Sequence, residues 1–215
     1  MQHQTPTTSN KEVIKNALKE THDHRRNWII SCSPSMVEIV NKYPRLQDYN
    51  GEMINLEYDL LYPEKGDNFI SKFALFYQPR ILLYAQRFEH KLYMESGVVK
   101  NVTLRALLIL AHLLSISNAV ILRKKRKRSN DETFDIESTF PAAELLQIVS
   151  EGTDLVRFSH DMRYQKLMMQ PYIIMTKGPY TENLYVQGDG FFLCHNDKQD
   201  AAHTFSLLYK IIYIF

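Results

Sequence analysis

The side chains that could act as nucleophiles or proton carriers occur in short pairs whose spacing works against catalysis. Cys194 precedes His195 in a run of strand-forming residues. Neighbouring residues of a strand point to opposite faces of the sheet, so this thiol and imidazole cannot readily share a proton. His160 and Asp161 are adjacent in the same way. We therefore expect that neither pair forms a catalytic site.

Metal binding and acid–base chemistry are the next classes that the residue types allow. His22 and His24 flank Asp23, but residues two apart in a helix do not face each other, so a solvated face is the better interpretation. The acidic residues of a later predicted helix lack the facing partner that an acid–base pair needs; they are Glu57, Asp59 and Glu64. The sequence contains no glycine-rich phosphate loop and no Gly-x-Ser-x-Gly elbow. We expect no catalytic residue, no metal site and no cofactor, and hence a protein that is not an enzyme.

The strongest local signal is a basic hexamer, which we define as Arg123, Lys124, Lys125, Arg126, Lys127 and Arg128. Removing each of these ions from water would cost several kcal/mol, so the hexamer should lie in an exposed linker over residues 123–140. The whole chain carries a formal charge of +2, so it would carry −4 without these six cations. Basicity is therefore local, which weakens the prediction of a broad nucleic-acid-binding face.

The hexamer supports three interpretations. As a nuclear import signal it would bind an import receptor and place the protein in the nucleus, with the cytoplasm as the alternative. It could instead contact nucleic-acid phosphates, or it could be an ordinary charged linker. Ser129 lies three residues before Glu132, a spacing that suits an acidic-directed kinase. A phosphate there would add a charge of about −1.5 to −2 beside the cations, and we hypothesise that this tunes import.

Residues 106–122 carry no formal charge and could be mistaken for a membrane span that the hexamer anchors. These seventeen residues are at the short limit for crossing about 30 Å of hydrocarbon, and they include His112 and Asn118. We favour a buried core helix and keep a single-pass membrane protein as an alternative. The two cysteines, Cys32 and Cys194, are too few for a disulfide framework and fit a reducing compartment.

The apolar pattern predicts an α+β fold with a helix-rich N-terminal half, an exposed basic linker and a small C-terminal sheet with a terminal helix. The expected segments are a flexible tail (1–10), a helical domain (11–122), the linker (123–140) and an α+β segment (141–215). We predict a helix from Lys11 to Ile29 and a hairpin through Gly188, Asp189 and Gly190. The inward side of the last helix should be Ala201, Phe205, Leu208 and Ile212. The chain stops inside an apolar run, from which we expect a truncated or alternatively spliced product.

Aromatic residues are dense between Tyr43 and Tyr93. With cations interleaved they could form a base-stacking surface; those cations are Arg80, Arg87 and Lys91. The aromatics at the centre of this region repeat with a helical period, which favours a core; they are Phe69, Phe73, Phe76 and Tyr77. We therefore predict that these rings are buried.

Several short motifs follow one another in a specific order: His24–Ile29, Val40–Leu46, Glu57–Leu61, Leu107–Leu114 and Met169–Ile174. In this order they resemble the region downstream of the sterile alpha motif in sterile-alpha-motif domain-containing protein 3-like proteins. The resemblance spans roughly residues 20 to 215, and it implies a soluble protein without assigning any catalytic residue. We expect a departure from that family here, in that no sterile alpha motif precedes the segment.

These observations predict a non-catalytic, nuclear protein that binds other proteins or serves as a scaffold. Nucleic-acid binding through the basic linker is the first alternative. Membrane anchoring through residues 106–122 is the second, and we do not favour membrane contact.

Overall fold

The computed structural model describes residues 5–65, 68–122, 145–164, 171–179, 182–196 and 201–215. Its helices are α1 (Lys11–Glu20), α2 (His22–Cys32), α3 (Met36–Lys42), α4 (Glu52–Leu61), α5 (Asn68–Lys72), α6 (Gln78–Phe88), α7 (His90–Glu95), α8 (Val102–Leu122), α9 (Leu155–Tyr164) and α10 (Ala201–Ile214). Its strands are β1 (Leu146–Ser150), β2 (Tyr172–Lys177), β3 (Glu182–Gly188) and β4 (Phe191–Asn196). A π-helical turn, Phe73–Tyr77, joins α5 to α6, and 3-10 turns occupy Thr8–Asn10, Pro44–Gln47, Tyr49–Gly51 and Ser96–Val98. The expected α+β class is confirmed.

The described strands form a sheet in the order β1-β2-β3-β4. β1 runs parallel to β2 and is connected to it through α9, whereas β3 pairs antiparallel with both β2 and β4. The predicted hairpin is confirmed: Asp189 and Gly190 link β3 to β4 with φ angles of 51° and 87°. Positive φ at both central residues is what a twisted two-residue hairpin turn requires, and an Asp-Gly pair supplies it.

The largest hydrophobic cluster joins side chains from both halves of the chain. It contains Met36 of α3, Leu107 of α8, Val186 of β3 and Ile211 of α10. On the opposite face of the sheet, α9 packs through Phe158 and its neighbours. The segments predicted on either side of the linker therefore share a core, and the sheet lies between α9 and the helical layer.

Capping explains why α3 begins where it does. The hydroxyl of Ser35 accepts a hydrogen bond from the backbone N–H of Glu38 at 3.3 Å. The carboxylate of Glu38 accepts in return from the backbone N–H of Ser35 at 2.7 Å. This reciprocal capping box satisfies donors that the first turn of a helix leaves without intrahelical partners.

Two helices differ from the sequence-based expectation. The helix predicted from Lys11 to Ile29 is interrupted at Thr21, whose hydroxyl donates to the carbonyl of Ala17 at 2.7 Å and competes with the helical pattern. In α10 the predicted inward side is wrong at Ile212, which is exposed, because α4 and the sheet both pack on this helix. The buried stripe is instead centred on Leu207, Leu208, Ile211 and Ile214.

The predicted linker, including the basic hexamer and Ser129, lies outside the described residues. The long apolar helix was predicted correctly and is α8. Within the part of the chain that the structure describes, no helix combines the length and apolar character needed to cross a membrane.

Candidate interaction surface

A surface of large apolar side chains lies along the outer side of the π-helical turn and α6. We define the aromatic face as Leu75, Phe76, Tyr77, Leu83, Tyr84 and Phe88, whose side chains are between 45% and 84% exposed. Scattered exposed hydrophobic residues are ordinary in proteins, but a contiguous group marks a surface that binds something. Phe76 contacts Tyr77 and Tyr84 contacts Phe88, and all six residues fall within one short stretch of chain, which makes this stretch the strongest candidate for a functional site.

The π-helical turn explains how these residues come to lie outside. Phe69 and Phe73 point inward, and their ring centroids are 5.0 Å apart. The wider turn that follows shifts the helical phase, since a π-helix closes its hydrogen bonds over one more residue than an α-helix. Consequently Ile81 and Ala85 supply the inward side of α6 and pack toward α8. The aromatics on either side of them are left facing solvent.

This arrangement corrects the prediction that the aromatics of this region form a core. The prediction is confirmed for Phe73, which is 1% exposed, and it is wrong for Phe76 and Tyr77, which are about half exposed. Helical spacing identified residues that share a side, but the phase shift at the π-helical turn divided them between two environments.

Contacts within the aromatic face hold its rings in fixed relative positions. Phe76 and Tyr77 meet edge to face with centroids 5.0 Å apart, and Tyr84 and Phe88 are tilted with centroids 5.1 Å apart. The guanidinium carbon of Arg80 lies 3.7 Å from the centroid of Phe76. Arg80 Nη1 also donates to the backbone carbonyl of Phe76 at 2.8 Å. The rings and the guanidinium therefore contact one another within the chain itself, without a partner.

The charged residues around the aromatic face are mostly cations. Between residues 68 and 91 the chain contains four of them, Lys72, Arg80, Arg87 and Lys91, and one carboxylate, Glu89. All four cations are exposed. The surface therefore combines an apolar centre with a positive surround.

The residue pairs considered for catalysis are placed apart from this surface. His160 Nδ1 lies 3.8 Å from Asp161 Oδ1, and both side chains are on the solvent side of α9. Cys194 is in register with Val186 and His195 with Tyr185, at successive positions of β4. Among the described residues, no group of three or more His, Cys, Asp or Glu side chains is arranged to hold a metal ion.

A buried ion pair is the polar feature that the sequence did not reveal. Arg25, which follows the residues predicted to form a solvated face, is fully buried and pairs with Glu57 of α4. His22 Nδ1 lies 3.2 Å from Glu57 Oε1, but without the alignment of a hydrogen bond. Glu57 therefore has a partner, but that partner is an arginine in a buried ion pair and not a second acid or base.

A shallow depression of about 280 Å³ lies between α1 and α4. Its rim carries both signs of charge, and these pair locally: Lys15 with Glu12 at 3.1 Å, and nearby Lys11 with Glu52 at 2.5 Å. Paired surface charges contribute little to stability, and mixed charges in the lining do not select a ligand of one sign. The depression is therefore a weaker candidate than the aromatic face.

The chain shows one family likeness. Residues 1–48 match the helical domain of sterile alpha motif domain-containing protein 3, and the resemblance drawn from the sequence is confirmed over this segment. The match covers α1, α2, α3 and the 3-10 turn Pro44–Gln47, and it stops before the aromatic face. No curated protein and no solved structure matches this chain.

Proposed function

We propose that this chain is a non-catalytic protein-interaction module that binds partner proteins through the aromatic face. One observation carries the proposal: six large apolar side chains within one short stretch of chain are exposed to solvent, and four of their rings contact one another in two pairs. Tyrosine, phenylalanine and arginine are enriched in the energetic centres of protein interfaces. Rings that already contact one another lose little freedom on binding, so more of the interaction energy remains for affinity.

Proximity labelling in cells tests this proposal. A labelling enzyme is fused to the intact chain and to a variant carrying Phe76→Ser, Tyr84→Ser and Phe88→Ser. We expect the variant to lose a defined subset of neighbours, because the centre of the surface is gone. A matched control removes exposed apolar side chains elsewhere, at Ile30 of α2 and Tyr164 of α9. Identical neighbours for all three chains would contradict the proposal.

The proposal also places the module in the nucleus. Its support is the sequence of the basic hexamer, which offers an import receptor six consecutive cations. Replacing the six residues with alanine should lower the nuclear fraction of a tagged copy. An unchanged fraction in Ser129→Asp and Ser129→Ala variants would argue against the regulatory part of the hypothesis.

Nucleic-acid binding is the second candidate function. It is favoured by the cations of the aromatic face and by the hexamer, which could contact phosphates together. Retention on immobilised DNA or RNA should then fall steeply with salt and be lost when the hexamer is neutralised. Retention that survives this change would exclude the hexamer as the phosphate-binding element.

A further inference from the structure

The shape of the aromatic face limits what can bind it. From Phe76 to Phe88 the side chains extend about 18 Å along the helix at 1.5 Å per residue. A helix satisfies its backbone groups internally, so this surface offers ridges of side chains and no free edge that a β-strand could join. A partner helix of about three turns can lay its own apolar residues between these ridges over that length.

Charge sets a second limit on the partner. Among the described residues, no carboxylate forms an ion pair with Arg80 or Arg87. Lys91 has Glu95 at 3.7 Å, but its side chain is 91% exposed and this contact is weak. Carboxylates on a partner would therefore meet cations that no carboxylate of the described residues neutralises, whereas cations on a partner would be repelled.

Arg80 is prepared for such a carboxylate. Its position over Phe76 and its hydrogen bond to the Phe76 carbonyl fix the guanidinium at the edge of the apolar centre. The bond to the carbonyl uses Nη1 and leaves Nε and Nη2 to donate elsewhere. A guanidinium held in this way can bind a carboxylate with two donors at small entropic cost.

The geometry is less suited to the other occupants. Base stacking needs open ring faces, but Arg80 lies over Phe76, and Phe76 and Tyr77 meet edge to face. Leu75 and Leu83, which have no ring to stack on, occupy part of the surface. A second copy of the chain would bring the same set of cations against itself, and like charges across an interface cost affinity.

We propose that the aromatic face binds an acidic amphipathic helix of a partner protein, with leucine or aromatic anchors on one side and glutamate or aspartate beside them. This inference rests on the proposed interaction function and names the chemistry of the partner. Apolar anchors fill the spaces among the six side chains of the face, and the flanking carboxylates pair with Arg80 and Arg87.

Fluorescence anisotropy with the intact purified chain tests this inference. The probe is a labelled synthetic peptide of about 16 residues with leucines at i, i+3, i+4 and i+7 and glutamates beside them. Its matched twin has lysine in place of every glutamate. We expect the acidic peptide to bind at least about tenfold more tightly than the twin, and the difference to shrink as salt rises.

Chain variants separate the two parts of the contact. Arg80→Glu with Arg87→Glu should invert the preference between the peptides. Phe76→Ser with Phe88→Ser should weaken both peptides by about tenfold. Tyr164→Ser should change neither, and thermal unfolding confirms that each variant is folded.

Three results would overturn the inference: equal affinity for the two peptides, tighter binding of a labelled single-stranded oligonucleotide, or a dimer in sedimentation that excludes the peptide. The peptide test could fail while the proximity labelling in cells still loses neighbours when the aromatic face is changed. That combination would reject the acidic helix as the partner but would leave the proposed interaction function in place. If the set of labelled neighbours does not change when the aromatic face is mutated, the interaction function itself is rejected.

Discussion

Arg25 and Glu57 form an ion pair between α2 and α4 in which neither side chain is more than 1% exposed. Arg25 Nε donates to Glu57 Oε1 at 3.2 Å, and Nη2 donates to Oε2. The guanidinium makes two further hydrogen bonds: Nη2 donates to the Leu18 carbonyl at 3.0 Å and Nη1 to the Thr21 hydroxyl at 2.9 Å. The pair thus connects α2 to α4 and to the junction between α1 and α2.

Removing one member of this pair should strongly destabilise the fold. Glu57→Ala leaves the Arg25 charge buried without its partner, and we expect a loss of about 3–5 kcal/mol in the free energy of unfolding. Arg25→Met combined with Glu57→Leu removes both charges and should cost less than Glu57→Ala alone. Urea unfolding of the single and double variants measures both effects. The exposed pair Arg157 and Asp161 provides the control, because breaking it should cost roughly 0–1 kcal/mol.

The different burial of Phe73 and Phe88 can be tested by measuring the free energy of unfolding of alanine variants. Phe73→Ala should cost about 3–5 kcal/mol, because it opens a cavity in the core. Phe88→Ala should change the free energy of unfolding by no more than about 0.5 kcal/mol, since its ring already stands in water. Chemical denaturation measures both values. Equal losses would mean that the aromatic face is buried in solution.

Substitution of Gly188 should destabilise the protein because of a steric clash with Met36, and shortening Met36 should relieve that clash. A Cβ at this position would overlap with Met36 Sδ, so one of the two must shift. We expect Gly188→Ala to cost about 1–3 kcal/mol, and less in a Met36→Ala background. Gly190→Ala is the matched comparison, because its φ is 87° and nothing lies within 4 Å. Its cost is backbone strain of about 1–2 kcal/mol, which Met36→Ala should leave unchanged.

Glu182 should fix the start of α8 against the sheet. Its carboxylate accepts hydrogen bonds from the backbone N–H groups of Lys100 at 3.0 Å and Asn101 at 3.1 Å. Glu182→Gln retains one acceptor oxygen and removes the charge, so we expect a loss of about 1.5–3 kcal/mol. Amide hydrogen exchange at Lys100 and Asn101 should accelerate. Glu20→Gln, on an exposed position of α1, should leave both amides protected.

The capping box of α3 should give a defined dependence on pH. The pKa of Glu38 is lowered below its usual 4.5 mainly because its carboxylate accepts a hydrogen bond from the backbone N–H of Ser35. A second hydrogen bond, from the Ser35 hydroxyl, lowers it further. The unfolded chain therefore binds the proton first as pH falls. The stabilisation is fully present above about pH 4.5 and is lost as pH falls through the lowered pKa.

Glu38→Gln should remove this part of the acid sensitivity, and Ser35→Ala should move the Glu38 pKa part of the way back toward 4.5. An NMR titration of the Glu38 carboxyl group measures the pKa in the parent chain and in Ser35→Ala. Identical titration curves would show that the hydroxyl does not contribute.

Local sequence signals predicted the elements whose cause is local. The start of α3 also has a local cause, because its capping box joins Ser35 and Glu38, which are three positions apart. The Asp189-Gly190 pair predicts the hairpin turn, because few pairs of residues readily adopt positive φ at two successive positions. The apolar run predicts α8 correctly, since uninterrupted hydrophobicity is itself the signal of a buried helix.

Features that depend on distant partners could not be predicted in the same way. Nothing around Arg25 indicates that a carboxylate 32 positions further along the chain will meet it in the core. The apolar periodicity assigns Phe73 and Phe76 to the same side of one helix. It cannot reveal the π-helical turn Phe73–Tyr77, which changes the helical phase between them. The aromatic face was missed for this reason, although its residues had been singled out for their density.

The shared core has a consequence for the segment that matches a known family. A fragment cut after residue 48 would keep Arg25 and lose Glu57, and it would strip Met36 of the sheet on which it rests. Such a piece would carry an orphaned cation and an uncovered apolar side. We therefore expect residues 1–48 on their own to fold less stably than the whole chain, because this segment shares its ion pair and part of its core with later elements.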